Sequence, residues 1–398
     1  MTNTFQNLMR EATHLTQAGQ LNDATAAIQR ALHGAGAGGA ATTDSVQARA
    51  RGSSSGGVSA DVFPLVLEGC VFETDAQAPA ATEAEAEAEA EAEAETRTDR
   101  PTGAGEFTSG THTHGTLTRR YKLYTPPGQE SGRPMPLVVM LHGCTQNPDD
   151  FAAGTGMNQR AREQGFCVLY PEQSQAANPS LCWNWFKHNH QQRGQGEPAL
   201  IASLTQAVMM QQGINPRRVF IAGLSAGGAM ATIVATAYPE IFAAVGVHSG
   251  LPTGAASNVG EALMVMKSGE PSLVMLGKGR RLGAATKAVQ RPQTTVPTIV
   301  FHGDQDTTVH PRNGQQVISA VMGSGASGPR VEQGVSARGR RYTRSTCRAD
   351  HGRALTEHWL VHGAGHAWSG GSAEGSYTDG SGPDATGEML RFFFEQRA

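Results

Sequence analysis

From His114 onward, short apolar runs alternate with longer stretches of helical periodicity. The runs are RRYKLYTP, PLVVMLHG, FCVLYPEQ, RVFIAGLS, FAAVGVHSG, TIVFHGDQD and EHWLVHGAG. Several are rich in Val, Ile and Leu without polar alternation, the pattern of strands covered on both faces. Between them, DDFAAGTGMNQRAREQG, PALIASLTQAVMMQQG, AGGAMATIVATAYP and GQQVISAVMG are long enough for helices. This alternation predicts an α/β fold, with a mostly parallel central sheet and helices on both faces, over residues 114–398. Leu251 to Val296 fits the rhythm poorly and reads as a cap-like excursion.

Residues 1–34 predict a helical hairpin. Leu8, Ala12 and Leu15 share one face, Gly19 interrupts, and Ala24, Ala27, Ile28 and Leu32 resume the spacing. It is similar to a single tetratricopeptide-type hairpin, which cannot bury a continuous core alone. An accessory hairpin packed on the main domain or loosely tethered to it is expected, with docking to a partner as the alternative. Residues 35–113 read as a low-complexity linker, opening with GAGAGGAATTDS and RGSSSGGVSA. Its Glu-Ala tract, Glu83 to Glu95, would repel itself at i and i+4 as a helix, so a disordered spacer is expected, with an acidic docking arm as the alternative.

Composition narrows the picture. The hydrophobic fraction is 38% over 398 residues, consistent with one packed domain diluted by linker. Net charge is −3, and without the seven glutamates of the tract 28 acids face 32 bases. Neither balance supports a nucleic-acid partner. No run approaches the roughly 18 apolar residues of a membrane span. The opening MTNTFQNLMREATHLTQ lacks the basic and apolar regions of a secretory leader, so a cytoplasmic location is expected. Cys70, Cys144, Cys167, Cys182 and Cys347 form no CxxC pair, so no metal site is expected, and mostly reduced thiols are the simplest reading.

The chemistry gathers at strand ends. Gly223-Leu224-Ser225-Ala226-Gly227 follows the apolar run Val219 to Ala222 and precedes a helix of small residues, the setting of a nucleophile elbow. A serine nucleophile needs a base, and the base an orienting acid, in the order Ser, Asp or Glu, His. Asp304 and Asp306 compete for the acid. Asp306 is favoured because it stands beyond the strand end, while Asp304 suits a brace of the turn. His366, in a glycine-flanked loop, is favoured over His362 as base. His142, His248 and His302 also end strands and read as structural. Backbone N–H groups of Ala226 and Cys144 are the expected oxyanion donors.

With these residues stand LHGCTQNPDDFA, YPEQS, CWNWF, RGQGEPALI, GLSAGGAMA, HSGLP, FHGDQDTTVHPRNG and GAGHAWSGGSAEGSYTD. Together, from about Gly115 to the C-terminus, they resemble the polyhydroxybutyrate depolymerase family of esterases. The resemblance implies an α/β-hydrolase fold related to feruloyl and acetylxylan esterases, without metal or cofactor. It also implies Ser225, Asp306 and His366 as triad, with Cys144 and Ala226 as oxyanion donors. The implied activity is ester hydrolysis, most simply of 3-hydroxybutyrate oligomers or short-chain polyhydroxyalkanoate. A feruloyl or acetylxylan esterase is the rival, and a granule-associated binding protein with an inactive hydrolase domain is the alternative of another class. In that last reading, residues 1–34 would dock a granule or protein partner.

Many family members are secreted, which keeps an extracellular location open. Secreted polymer-degrading relatives often carry substrate-binding domains after the catalytic one. This chain ends at RFFFEQRA, so soluble oligomer, an amorphous intracellular granule or another ester is a better expectation than crystalline polymer. Trp183, Trp185 and Trp368 are candidate pocket walls, with core packing as the alternative. Cys144 and Cys182 are a candidate disulfide, and Arg193, Gly196 and Glu197 are expected to organise a helix start.

Overall fold

The middle of the sheet is built from strands with no solvent-facing side. In the computed structural model, β3 (Leu137–Leu141), β4 (Cys167–Pro171), β5 (Val219–Leu224), β6 (Ala244–His248) and β7 (Thr298–Gly303) are buried at every position. The structure describes residues 103–128, 134–270, 295–321, 328–349 and 352–396, all within one unit, Asp99–Ala398. The hairpin read at 1–34 and the Glu-Ala tract lie outside the described residues.

Parallel pairing joins β4, β3, β5, β6, β7 and β10 (Ala354–Val361) in that spatial order. Antiparallel strands finish both edges: β1 (Glu106–His114) and β2 (Leu117–Thr125) beside β4, and β9 (Arg341–Arg348) and β8 (Arg330–Val335) beside β10. The result is a ten-stranded sheet. Strand side chains alternate between faces. Val139, Ile221, Val247 and Val300 enter one core with α3 (Gly196–Gln211) and α4 (Ala226–Ala237), and with α5 (Val259–Ser268) and α6 (Arg312–Val321). Val138, Met140, Phe220 and Phe301 enter the other with α1 (Pro148–Thr155), α2 (Met157–Gln164) and α7 (Ala385–Glu395). Each buried Val, Leu or Phe adds about 1.5–3 kcal/mol, so this two-faced core carries the fold. The architecture is that of an α/β-hydrolase.

Local signals explain the helix ends. Asn147 caps α1 by accepting the Asp150 N–H at 3.0 Å, and Asp384 caps α7 by accepting the Gly387 N–H at 2.9 Å. The single helix read over DDFAAGTGMNQRAREQG breaks in two at Gly156, whose φ of 63° ends α1. In α7, Phe393 stacks on Phe220 at 5.0 Å.

Three elements correct the sequence reading. Residues Glu106–His114, read as the end of the linker, form strand β1, because the polar TSGTHTH run pairs with β2 along its full length. The hairpin β8–β9 is also ordered. Both are edge structures with exposed faces, so they lack the apolar runs of the central strands. Within the supposed excursion, Val259–Ser268 is helix α5, capped by Asn258.

Candidate active site

Ser225 stands between β5 and α4 with φ 57° and ψ −118°, a conformation costly for any residue with a Cβ. Its N–H donates to the His248 carbonyl at 2.8 Å, and its carbonyl accepts the Ala229 N–H at 2.9 Å. The flanking glycines are steric requirements. A Cβ on Gly223 would lie 2.4 Å from the Gly227 carbonyl carbon, and one on Gly227 would lie 2.0 Å from the Leu141 oxygen. The absence of side chains therefore seats the helix start directly on the loop after β3.

That loop carries Cys144. Gly143 N–H donates to Gln146 Oε1, Thr145 N–H to Ser180 O, and Gln146 N–H to Gly143 O. The Cys144 N–H takes no part in these bonds, and the Ala226 N–H opens α4, where no intrahelical acceptor exists. A disulfide joins Cys144 to Cys182, anchoring the loop to the CWNWF segment. Among the described residues, Cys167 and Cys347 are buried and outside any disulfide. His142 supports the loop from below. Its Nε2 accepts the Gln173 N–H at 3.1 Å, so its Nδ1 carries the proton and donates to Gly143 O at 2.8 Å. Burial lowers the affinity of this ring for a second proton.

At the ends of β7 and β10, two carboxylate–imidazole pairs form side by side. Asp306 Oδ2 meets His366 Nδ1 at 2.7 Å, and Asp304 Oδ2 meets His362 Nδ1 at 2.9 Å. The favoured acid thus pairs with the favoured histidine, and the rival acid with the rival histidine. Asp306 is buried, and its Oδ1 accepts N–H groups of Thr308 and Val309 at 2.9 and 2.8 Å. Burial alone would raise its pKa. The His302 and His366 rings and the Val309 N–H outweigh that and hold the carboxyl far below its ordinary range. Asp304 also accepts the Gly363 N–H at 2.7 Å, and His362 Nε2 lies 2.9 Å from Thr343 Oγ1. That pair ties β7, β9 and β10 together.

The Ser225 hydroxyl and His366 are not hydrogen-bonded to each other here; such contacts often tighten only with substrate in place. Their segments are joined instead through His248. Its carbonyl holds the Ser225 N–H, its Nε2 accepts the Ser369 N–H at 2.9 Å, and Trp368 stacks on its ring at 5.1 Å. His302, 3.4 Å from Asp306 Oδ2, is a second supporting imidazole. Both histidines end strands beside the site, which was the available sequence signal.

The tryptophans correct the sequence reading. Trp183, Trp185 and Trp368 are all buried. Trp368 lies against His248 and Phe151 and donates its indole N–H to Thr386 Oγ1 at 3.0 Å, Trp183 packs beside His142, and Trp185 meets Phe186 edge-on. They are core, not pocket wall. Glu197 does more than begin a helix. Buried in the first turn of α3, it accepts from Gln173 Nε2 at 2.6 Å, from Asn184 N and Nδ2 at 2.8 Å, and from Arg119 at 3.3 Å. It fastens the CWNWF segment beneath the Cys144 loop. Arg193 is exposed and pairs with Glu240. Among the described residues, no group of three metal-ligating side chains forms a metal site, and no helix is long and apolar enough to cross a membrane.

Known proteins resemble this chain in sequence and in fold. The signature described as Esterase PHB depolymerase matches residues 119–339, more than half of the chain. The chain belongs to the polyhydroxybutyrate depolymerase family of esterases. The match to this esterase family includes Cys144, Ser225 and Asp306, while His366 lies beyond it. Poly(3-hydroxyalkanoate) depolymerase C of Paucimonas lemoignei is 30% identical over 241 residues, 59% of this chain and 56% of that protein. A probable acetylxylan esterase A of Aspergillus fumigatus is 30% identical over 215 residues, 51% of this chain and 54% of that protein. The chain therefore spans about half the length of the curated relatives it matches. Among solved structures, an acetyl xylan esterase from Aspergillus awamori aligns with a TM-score of 0.53 and 19% identity, covering 72% of this chain and 99% of that one. This likeness is one of fold.

Proposed function

We propose that this esterase-family chain hydrolyses carboxylic esters through an acyl-enzyme on Ser225. The observation that carries the reading is the 2.7 Å bond between Asp306 and His366 Nδ1. It fixes the tautomer in which Nε2 is unprotonated and free to act as base. His366 removes the Ser225 proton as the hydroxyl attacks the ester carbonyl, and Asp306 stabilises the imidazolium. The Ala226 and Cys144 N–H groups receive the oxyanion, and His366 protonates the departing alcohol. Water then repeats the sequence and releases the acid.

The substrate class proposed is 3-hydroxybutyrate oligomers or short-chain polyhydroxyalkanoate, supported by family membership and by the depolymerase among the relatives. The acetylxylan esterase relatives favour a second reading, hydrolysis of acetyl or feruloyl esters of plant cell walls. Acid release from soluble 3-hydroxybutyrate oligomers, with methyl ferulate in parallel, separates the two. Ser225→Ala should lower turnover by about 10⁴–10⁶-fold. Equal activity in wild type and variant would remove Ser225 from the mechanism, and ferulate cleavage with inert oligomers would move the substrate class.

A further inference from the structure

The buried tryptophans leave one aromatic ring to explain. Tyr377 is 46% exposed, and no other Phe, Trp or Tyr among the described residues is exposed. Its backbone has φ 52°, in the left-handed region. A bulky residue there is strained by about 1–3 kcal/mol, and such strain persists where the surroundings enforce it, often at ligand sites. Here they enforce it from two sides. The Tyr377 carbonyl accepts the Trp368 N–H at 2.6 Å, in the segment two residues beyond His366. Its phenol meets Thr145 Oγ1 at 3.1 Å, in the residue after Cys144.

Thr145 is itself at φ 65° and spends its hydroxyl proton on the Cys144 carbonyl at 2.6 Å. The phenol is therefore the donor to Thr145, and it keeps a lone pair to accept from another hydroxyl. A strained, exposed ring thus bridges the loop of the candidate oxyanion donor and the segment following the candidate base. The ring face is an apolar platform at low entropy cost, and the phenol oxygen is an acceptor at its edge.

We propose that Tyr377, held by Thr145, is a substrate-binding subsite for a second hydroxyacyl unit of the ester chain. The unit's methyl and methylene groups lie on the ring, and a free 3-hydroxyl, where the unit is terminal, donates to the phenol oxygen. This rests on the ester-hydrolase reading above and names the part of the substrate beyond the scissile bond.

The test compares a 3-hydroxybutyrate trimer with 4-nitrophenyl acetate, which has no second unit. The readout is the ratio of kcat/KM for trimer over acetate in wild type, Tyr377→Asn and Tyr377→Phe. Asn tolerates the left-handed backbone, so the loop keeps its path while the ring is lost. The ratio should fall about tenfold in Tyr377→Asn, with the larger part in KM for trimer, and stay within about threefold of wild type in Tyr377→Phe, as expected for loss of one aromatic contact. A ratio unmoved in Tyr377→Asn, with both substrates slowed together or neither slowed, assigns the residue to loop support and overturns the subsite. A wild type that cleaves acetate but not trimer overturns the hydroxybutyrate reading, and with it the identity of the bound unit. Thermal melts of both variants report whether the fold is retained.

Discussion

The His248 carbonyl accepts the Ser225 N–H at 2.8 Å while its ring accepts the Ser369 N–H at 2.9 Å, so one buried residue sets the turn of the proposed nucleophile against the segment following the proposed base. The second bond requires an unprotonated Nε2. Burial first, then the nearby His302 and His366, lowers the pKa of this ring to about 3. The unfolded chain takes up that proton near pH 6.5. Stability from His248 is therefore complete above about pH 6.5 and lost as pH falls toward 3, at up to about 1.4 kcal/mol per pH unit. His248→Gln offers a neutral amide oxygen to Ser369 and should flatten the stability profile across this window. Denaturant melts from pH 7 to pH 4 measure the slope. His358, buried and lowered to about 4, keeps its own share in the variant. An unchanged slope would show that His248 does not take up a proton on unfolding.

Glu197 makes a prediction in a lower window. Burial would raise its carboxyl, but the His190 ring, the Gln173 amide and the Asn184 N–H outweigh burial and hold it at about 2. The folded value is depressed, so its contribution is present above about pH 4.5 and disappears as pH falls through 2. Glu197→Gln leaves Arg119 without its carboxylate and should cost on the order of 3 kcal/mol at pH 7. The gap between variant and wild type should close from pH 4.5 downward. Urea midpoints across that range decide it, and a constant gap would mean that lost packing, not lost charge, is responsible.

The elements legible in the sequence were those whose signal is local. β5 and β7 announced themselves as unbroken apolar runs, and the placement of Ser225, Asp306 and His366 beyond strand ends followed from those runs. The edge strand β1 was not legible, because TSGTHTH becomes a strand only by pairing with β2. His248 looked like a strand tip because its partner, Ser369, is 121 residues away. Trp368 looked like a pocket wall because it follows the proposed base, His366, in sequence. Its neighbours His248 and Phe151 come from other elements and enclose it. Tyr377 was overlooked for the converse reason: its exposure follows from a positive φ that no residue type in SYTD advertises.

Reduction of the Cys144–Cys182 disulfide should weaken the protein and its chemistry together. The bond closes a loop with a sequence separation of 38, for which about 2–4 kcal/mol of stabilisation is typical. It also restrains the residue whose N–H is proposed to meet the oxyanion. Under a thiol reductant, or in Cys144→Ser/Cys182→Ser, the melting temperature should fall and kcat should fall more than KM rises. A lower melting temperature with unchanged kcat would show that Thr145 N–H to Ser180 O suffices to position the loop.

Gly227 tests whether the contact between elbow and loop matters for rate. In Gly227→Ala the new Cβ would meet the Leu141 and His142 oxygens at 2.0 and 2.5 Å, both backbone atoms that no rotamer change can move. The start of α4 must lift, separating the Ala226 N–H from the Cys144 N–H. Loss of one oxyanion donor typically lowers turnover about 10²–10³-fold, and kcat in this variant should fall at least that far while the protein remains folded near its normal melting temperature minus several degrees. Gly328→Ala is the control, because a Cβ there meets no atom of the described residues within 4 Å, and its stability should change by less than about 1 kcal/mol. If Gly227→Ala destabilised the protein yet kept kcat, the two N–H groups would not act on one oxyanion, and the donor pair would have to be sought elsewhere along the loop after β3.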